Sequence, residues 1–261
     1  MPKIYQVDSF TAEPFGGNPA AVVPLNQPRS AEWMQLVARE MNLSETAFFR
    51  PDGDGYRLWW FTPTAEVDLC GHATLAVAHI LWETGLERLD KPICFDSNSG
   101  QLVTRLEGSW INMDFPTIPA TATDAPEALL KGLGVTPGYV AANDMKYLAV
   151  LEDEGAVRRL KPDMDQLTQL PVVGAIATAP ADNPDYDFVS RVFAPAVGIP
   201  EDPVTGAAHC VLSHYWSERL GKEKMVAYQA STRGGEVRVE YQGDRTILGG
   251  QAVTVMKGEL L

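Results

Sequence analysis

The chain has 261 residues, 45% hydrophobic and 21% charged, with a formal charge of −13. That composition excludes a disordered polymer, and the lack of basic patches excludes a nucleic-acid or anionic-membrane surface as partner. The length suits two domains of roughly 100–150 residues each.

The opening MPKIYQVDSF lacks the apolar run of a signal peptide, and no stretch approaches a membrane span. Three cysteines without paired spacing fit reduced thiols, so a cytoplasmic protein is expected. Residues 3–10 and 20–25 read as strands around a Gly-Gly-Asn-Pro turn at 16–19. A helix is predicted over 31–41, capped by Ser30, with Met34, Val37, Ala38 and Met41 on one face. Strands follow at 45–50 and 56–62. Then GHATLAVAHILW (71–82) predicts a helix that is apolar all round and therefore buried on every side. Strands at 92–97, 101–107 and 110–115 close the first half.

The second half repeats the order: a strand at 146–152, a helix-prone segment at 163–170, strands at 172–179 and 187–194. An apolar helix in TGAAHCVLSHYW (205–216) comes next, then strands at 225–231, 236–242 and 246–256. Local sequence echoes this order. RLWWFTP (57–63) matches SRVFAP (190–195), and DSNSGQLVTRL (96–106) matches ASTRGGEVRVE (230–240). Gly71 and His79 match Gly206 and His214, each pair eight residues apart. A tandem duplication follows, with Pro116, Pro119 and residues 120–125 as linker. The expected architecture is α+β: an N-terminal lobe over 1–116 and a C-terminal lobe over 117–261, with the final strand free to pack back on the first lobe. Each lobe is expected to hold a mixed, mostly antiparallel sheet around a central buried helix. The amide N–H groups at the starts of the two helices would then form an anion site in a cleft between lobes.

EVDLCGHAT (66–74) and PEDPVTGAAH (200–209) each join acid, turn and glycine at a helix start. With Glu45 they assemble carboxylates and an imidazole beside positive helix ends, a set suited to moving a proton next to a carboxylate. Glu45 could act as base if burial raised its pKa toward neutrality. Taken alone, Glu45 reads as a solvated strand-end charge, Asp202 as a first-turn acid and His72 as a residue satisfied by local backbone. His79 and His214, inside apolar helices, read as satisfied core histidines, and Cys70, Cys94 and Cys210 as small buried hydrophobes. His72, His79, Asp68 and Cys70 do not have the spacing of a closed metal site, and no dinucleotide or phosphate-loop fingerprint occurs. No metal and no cofactor is expected.

GGNPAAVV (16–23), NLSETAFF (42–49), FTPTAEVDLCGHATLA (61–76) and EDPVTGAAH (201–209) together resemble the PhzF family of phenazine-biosynthesis-type isomerases, nearly end to end. The resemblance implies the diaminopimelate epimerase-like fold and cofactor-free isomerisation or epimerisation of a small carboxylated metabolite. It implies Glu45 as general acid/base, with His72 and Asp202 lining the pocket. Asn18, Ser44, Gly71, Thr205, Gly206 and Ala207 would border the substrate, and a homodimer is implied. Ala207 departs from the serine of the phenazine enzyme, which argues for a different substrate. The fold's epimerase branch uses two cysteines; Cys70 stands in the first place, but Cys210 lies too far into its helix to be the second. A non-catalytic binder of small carboxylates, or an epimerase of the same fold, are the other readings.

Overall fold

The computed structural model describes residues 2–261. They divide into two compact units, one taking the chain up to Phe115 together with Ile247–Leu261, the other taking Pro116–Thr246.

In the first unit, β1 (Lys3–Ser9) and β2 (Asn18–Pro24) pair antiparallel. Helix α1 (Ala31–Met41) starts where Ser30 Oγ accepts the Trp33 N–H at 3.3 Å and stops at Asn42, in the left-handed conformation at φ 51°. β3 (Glu45–Asp52) lies parallel to β2, and β4 (Gly55–Phe61) returns antiparallel. A two-residue β5 (Glu66–Val67) leads to α2 (Gly71–Glu83). β6 (Ile93–Ser97) runs parallel to β4, and β7 (Gly100–Glu107) and β8 (Trp110–Pro116) continue the sheet antiparallel.

The pleat sorts the side chains. Ala21, Val23, Phe48 and Phe61 meet Met34, Val37 and Ala38 of α1 in one core layer. The alternate residues of β2 and β3 face the other way, toward α2, which is buried on every side from His72 to Trp82 except at His79.

In the second unit, the expected linker contributes β9 (Thr121–Ala122), which pairs with β10 (Tyr139–Ala142). Between them lies α3 (Glu127–Leu133). β11 (Lys146–Val150) follows antiparallel to β10, and short helices α4 (Glu154–Arg159) and α5 (Met164–Leu167) lead to β12 (Gly174–Pro180), parallel to β11. β13 (Phe188–Ala194) is antiparallel to β12, and β14 (Ile199–Asp202) pairs back on it. Helix α6 (Gly206–Leu220) precedes β15 (Lys224–Gln229), parallel to β13, then β16 (Gly235–Gln242) and β17 (Arg245–Gly250), which passes into the first unit at Ile247. Leu129, Leu133, Val157 and Leu167 pack on the Ala175–Ala177–Ala179 side of the sheet. Phe188 and Thr178 meet Trp216 of α6 on the other side.

The duplication is visible in the pairing: both units make parallel steps at the same two places, across the helical connection of α1 or of α4 and α5, and across the buried helix α2 or α6. Sequence periodicity passed over α3, α4, β10 and β14, which are too short to show a pattern. The single strand expected at 246–256 is two, because Gln251 leaves the ladder and its carbonyl accepts the Phe10 and Thr11 N–H groups at 2.7 and 3.2 Å. Beyond it, β18 (Ala252–Glu259) pairs antiparallel along all of β1 and packs on α2, and with β17 pairing β8, residues 247–261 belong to the first unit. Among the described residues no helix is long and apolar enough to cross a membrane.

Candidate active site

Glu45 opens β3, and its register partner is Ala20 of β2. Phe48 faces α1, so Glu45, Ala47 and Phe49 face α2. Asn18 and Ala20 share that face of β2 for the same reason. Gly17 delivers Asn18 there: its φ is +59°, and a Cβ would collide with the Ser9 carbonyl oxygen, so only glycine fits. His72, second residue of α2, is held by its backbone, whose carbonyl accepts the Ser9 hydroxyl at 2.8 Å.

These pieces bring Glu45 and His72 together. His72 Nε2 stands 3.2 Å from Glu45 Oε2, close but not aligned as a hydrogen bond. The imidazole is buried, and burial pushes its pKa down to about 3. On the far side of the ring, Asn18 Nδ2 lies 3.3 Å from Nδ1, while Asn18 Oδ1 accepts from Ser44 Oγ at 3.5 Å. A neutral ring that accepts at Nδ1 carries its proton at Nε2. The contact with Glu45 is therefore a neutral N–H presented to a carboxylate and not an ion pair. Side-chain exposure is 6% for His72 and 12% for Glu45, so both are largely withdrawn from solvent.

Cys70 is the N-cap of α2 and makes no side-chain capping bond. Its Sγ lies 3.5 Å from His72 Nδ1. The first intrahelical bond is Thr74 N–H to Cys70 C=O at 3.1 Å, so the N–H groups of Gly71, His72 and Ala73 have no intrahelical acceptor and give this end a partial positive charge. Ligand atoms of Glu45, Cys70 and His72 lie within 4.8 Å of one another and could hold a metal ion. The positive helix end beside them favours an anion over a cation.

The second unit builds a related arrangement. Asp202 ends β14, and its Oδ2 accepts the Thr205 hydroxyl at 2.6 Å. Thr205 is the N-cap of α6, followed by Gly206 and the exposed Ala207. Fully buried Gln229 clamps the turn: its Nε2 donates to Asp202 C=O at 2.7 Å, and its Oε1 accepts the Thr205 N–H at 2.9 Å. His209, also fully buried, donates from Nδ1 to Thr205 C=O at 2.8 Å; burial pushes it down to about 4.

One expectation needs revision. His214 is not a core residue: its side chain is 29% exposed and stands 3.6 Å from Glu218. The Asn18 carboxamide is directed to His72 and Ser44. His79 is half-buried and satisfied by Thr254 Oγ1 at 3.1 Å. Cys210 is buried, and its thiol is pushed up to about 12, which removes it as a base. Cys70 is buried and Cys94 half-buried. The residues that sequence reasoning passed over are Ser9 and Gln229, ordinary strand-end polars until their bonds are seen.

The PhzC-PhzF family model, described as phenazine biosynthesis-like protein, matches residues 7–258. An uncharacterised isomerase of Halalkalibacterium halodurans is 51% identical over 99% of this chain and 98% of its own length. Another from Pseudomonas aeruginosa is 45% identical, with 99% and 98% covered. The crystal structure of a PhzF-family protein of Enterococcus faecalis superposes with a TM-score of 0.95 at 40% identity, covering 100% of this chain and 99% of that one. With motifs, fold and relatives in agreement, the chain belongs to the PhzC-PhzF family of phenazine biosynthesis-like proteins and is an enzyme of the isomerase class.

Proposed function

We propose that the protein moves a proton on a small carboxylated substrate, with Glu45 as the general acid/base and no cofactor. The observation that carries this reading is the Glu45–His72 pair, 3.2 Å apart, with the neutral imidazole locked from behind by Asn18. A carboxylate with an N–H beside it has a fixed direction, and contacts of this kind tighten when substrate binds. Glu45 takes a proton from the carbon next to the substrate carboxylate. Negative charge then spreads into that carboxylate, where the free N–H groups at the start of α2 offset it. Protonated Glu45 returns the proton to another carbon, so the double bond moves and neither oxidant nor metal is consumed. His72 directs the base and does not itself titrate in this cycle.

For Asp202, Thr205, Gly206 and Ala207 we propose contacts to the substrate, on the strength of the family motif and the bonds that hold the Asp202–Thr205 turn. Ala207 offers a backbone N–H without a hydroxyl, which fits a substrate lacking the partner that a serine would bind.

The test is incubation of candidate unsaturated carboxylic acids in deuterated water, read by mass spectrometry. Label should enter with the wild-type protein and drop by about 10²–10⁴-fold with Glu45→Gln, the range typical of a positioned acid/base. Full exchange by Glu45→Gln removes Glu45 as the base. Binding without exchange in any acid favours a carrier of small carboxylates.

A further inference from the structure

Three of the six tryptophans are buried, and two of those have a partner for the indole N–H. Trp82 donates to the Arg88 carbonyl at 3.1 Å, and Trp216 to the Thr178 hydroxyl at 3.0 Å. Trp60, only 1% exposed, is the exception: its Nε1 is shielded from solvent and meets no acceptor among the described residues. A buried indole ordinarily finds a partner, because a bare N–H forfeits the hydrogen bond that it made with water.

The pairing of β4 ties Trp60 to Glu45 and His72. This strand lies between β3, which opens with Glu45, and β5, from which the chain enters α2. Trp60 pairs with Ala47 on one side and with Val67 on the other, and Val67 is followed closely by Cys70 and His72. Phe61 belongs to the core layer under α1, so Trp60 faces α2. Its partner Ala47 shares that face with Glu45, two positions back along β3. Trp60 and Glu45 are therefore diagonal neighbours, a relationship in which positions about 7–8 Å apart are bridged by an aromatic side chain.

We infer that the Trp60 indole N–H is a substrate donor. It takes a neutral oxygen, a hydroxyl or a carbonyl, on a small carboxylic acid whose reacting carbon lies at Glu45. The inference rests on the reading above, in which Glu45 is the base. Burial does not separate Trp60 from such a ligand. Glu45 and His72 are themselves withdrawn from solvent, at 12% and 6% side-chain exposure, and an acid that meets the base enters the same space. Charge decides the kind of acceptor. A second carboxylate beside Glu45 would be repelled, and an uncharged N–H offers too little to offset that, whereas a neutral oxygen fills the bond without repulsion. Trp60 thus acts on specificity: an acid without the oxygen leaves the donor bare and binds more weakly.

The experiment uses the full chain with ¹⁵N in its tryptophan indoles, and pyruvate, lactate and propionate as probes. Pyruvate carries a carbonyl, lactate a hydroxyl and propionate neither. Trp60→Phe identifies the Trp60 Nε1–H cross-peak by its absence. That proton should move downfield with pyruvate or lactate and hold its place with propionate. In calorimetry, wild type should favour the oxygenated acid over propionate by about tenfold, the worth of one hydrogen bond. Trp60→Phe should lose this preference while propionate binds as before. A purely structural indole would give Trp60→Phe a lower stability with the selectivity of wild type, and that result overturns the proposal. So does a Trp60 cross-peak that stays fixed up to the solubility limits of pyruvate and lactate, a readout on the wild-type protein that needs no variant to fold. Neither measurement needs turnover. A Trp60 shift in a protein that exchanges no isotope strikes Glu45 as base and upholds the donor, while exchange without a shift strikes the donor alone.

Discussion

Asn18 Nδ2 lies 3.3 Å from His72 Nδ1, and this contact decides which nitrogen of the ring carries the proton. Asn18→Asp reverses it. A carboxylate behind the ring requires an Nδ1–H, leaving Nε2 either as an acceptor facing Glu45 or as part of an imidazolium that pairs with it. The first repels the base and the second lowers its basicity. Proton exchange should fall about 10²-fold, the size of a misdirected acid/base, and stability should fall too, because Asn18 is fully buried and a carboxylate there is costly. The ¹⁵N shifts of the imidazole check the cause, since a merely structural effect would leave the tautomer unchanged.

Two buried histidines make the protein acid-sensitive. Burial lowers His72 to about 3 and His209 to about 4, from 6.5 in the unfolded chain. Between those values the unfolded chain binds protons that the folded one does not, so stability falls as pH drops from about 6.5 toward 4. The loss between pH 7 and 5 should be about 2 kcal/mol for each histidine. His209→Asn keeps a donor for the Thr205 carbonyl and removes one titrating ring. Urea unfolding at the two pH values should show a smaller drop for this variant; an equal drop would mean that His209 is protonated in the folded protein.

Gln229 satisfies two backbone groups at the Asp202–Thr205 turn and also reaches Thr205 Oγ1 at 3.2 Å. Gln229→Leu preserves bulk but leaves the Thr205 N–H and the Asp202 C=O unpaired. The cost should be about 2–4 kcal/mol, because orphaned buried polar groups lose the full desolvation term. Chemical denaturation measures it, and a cost near zero would mean that water replaces the carboxamide.

How much of this was legible in the sequence depends on the range of the interaction. The two buried helices stood out because residues such as Leu75, Val77, Ile80 and Leu81 leave no polar face. Glu45, His72 and Asp202 were singled out through motifs; what the motifs lacked was register, and it is the alternation of β3 that turns Glu45 toward α2. Gln229 looked like the polar end of a strand. Its importance lies in burial and in bonds to Asp202 and Thr205, far along the chain, which leave no local pattern. The same holds for β18: its place beside β1 is a pairing across nearly the whole chain length, invisible to any window of a few residues.

The cluster of Glu45, Cys70 and His72 carries the last prediction. Its donor set, a carboxylate, a thiol and an imidazole within 4.8 Å, is one that zinc accepts. Two features work against a resident cation. The amide N–H groups of Gly71, His72 and Ala73 place partial positive charge beside the set, and Asn18 faces one of the two imidazole nitrogens. A metal using Nε2 would also separate Glu45 from its N–H neighbour and stop proton transfer. Dialysis against a strong chelator should therefore leave isotope exchange at its original rate, while excess cadmium should suppress it reversibly in wild type and much less in Cys70→Ala. Loss of exchange on chelation, restored by zinc, would make this a metal centre and remove Glu45 as a free base.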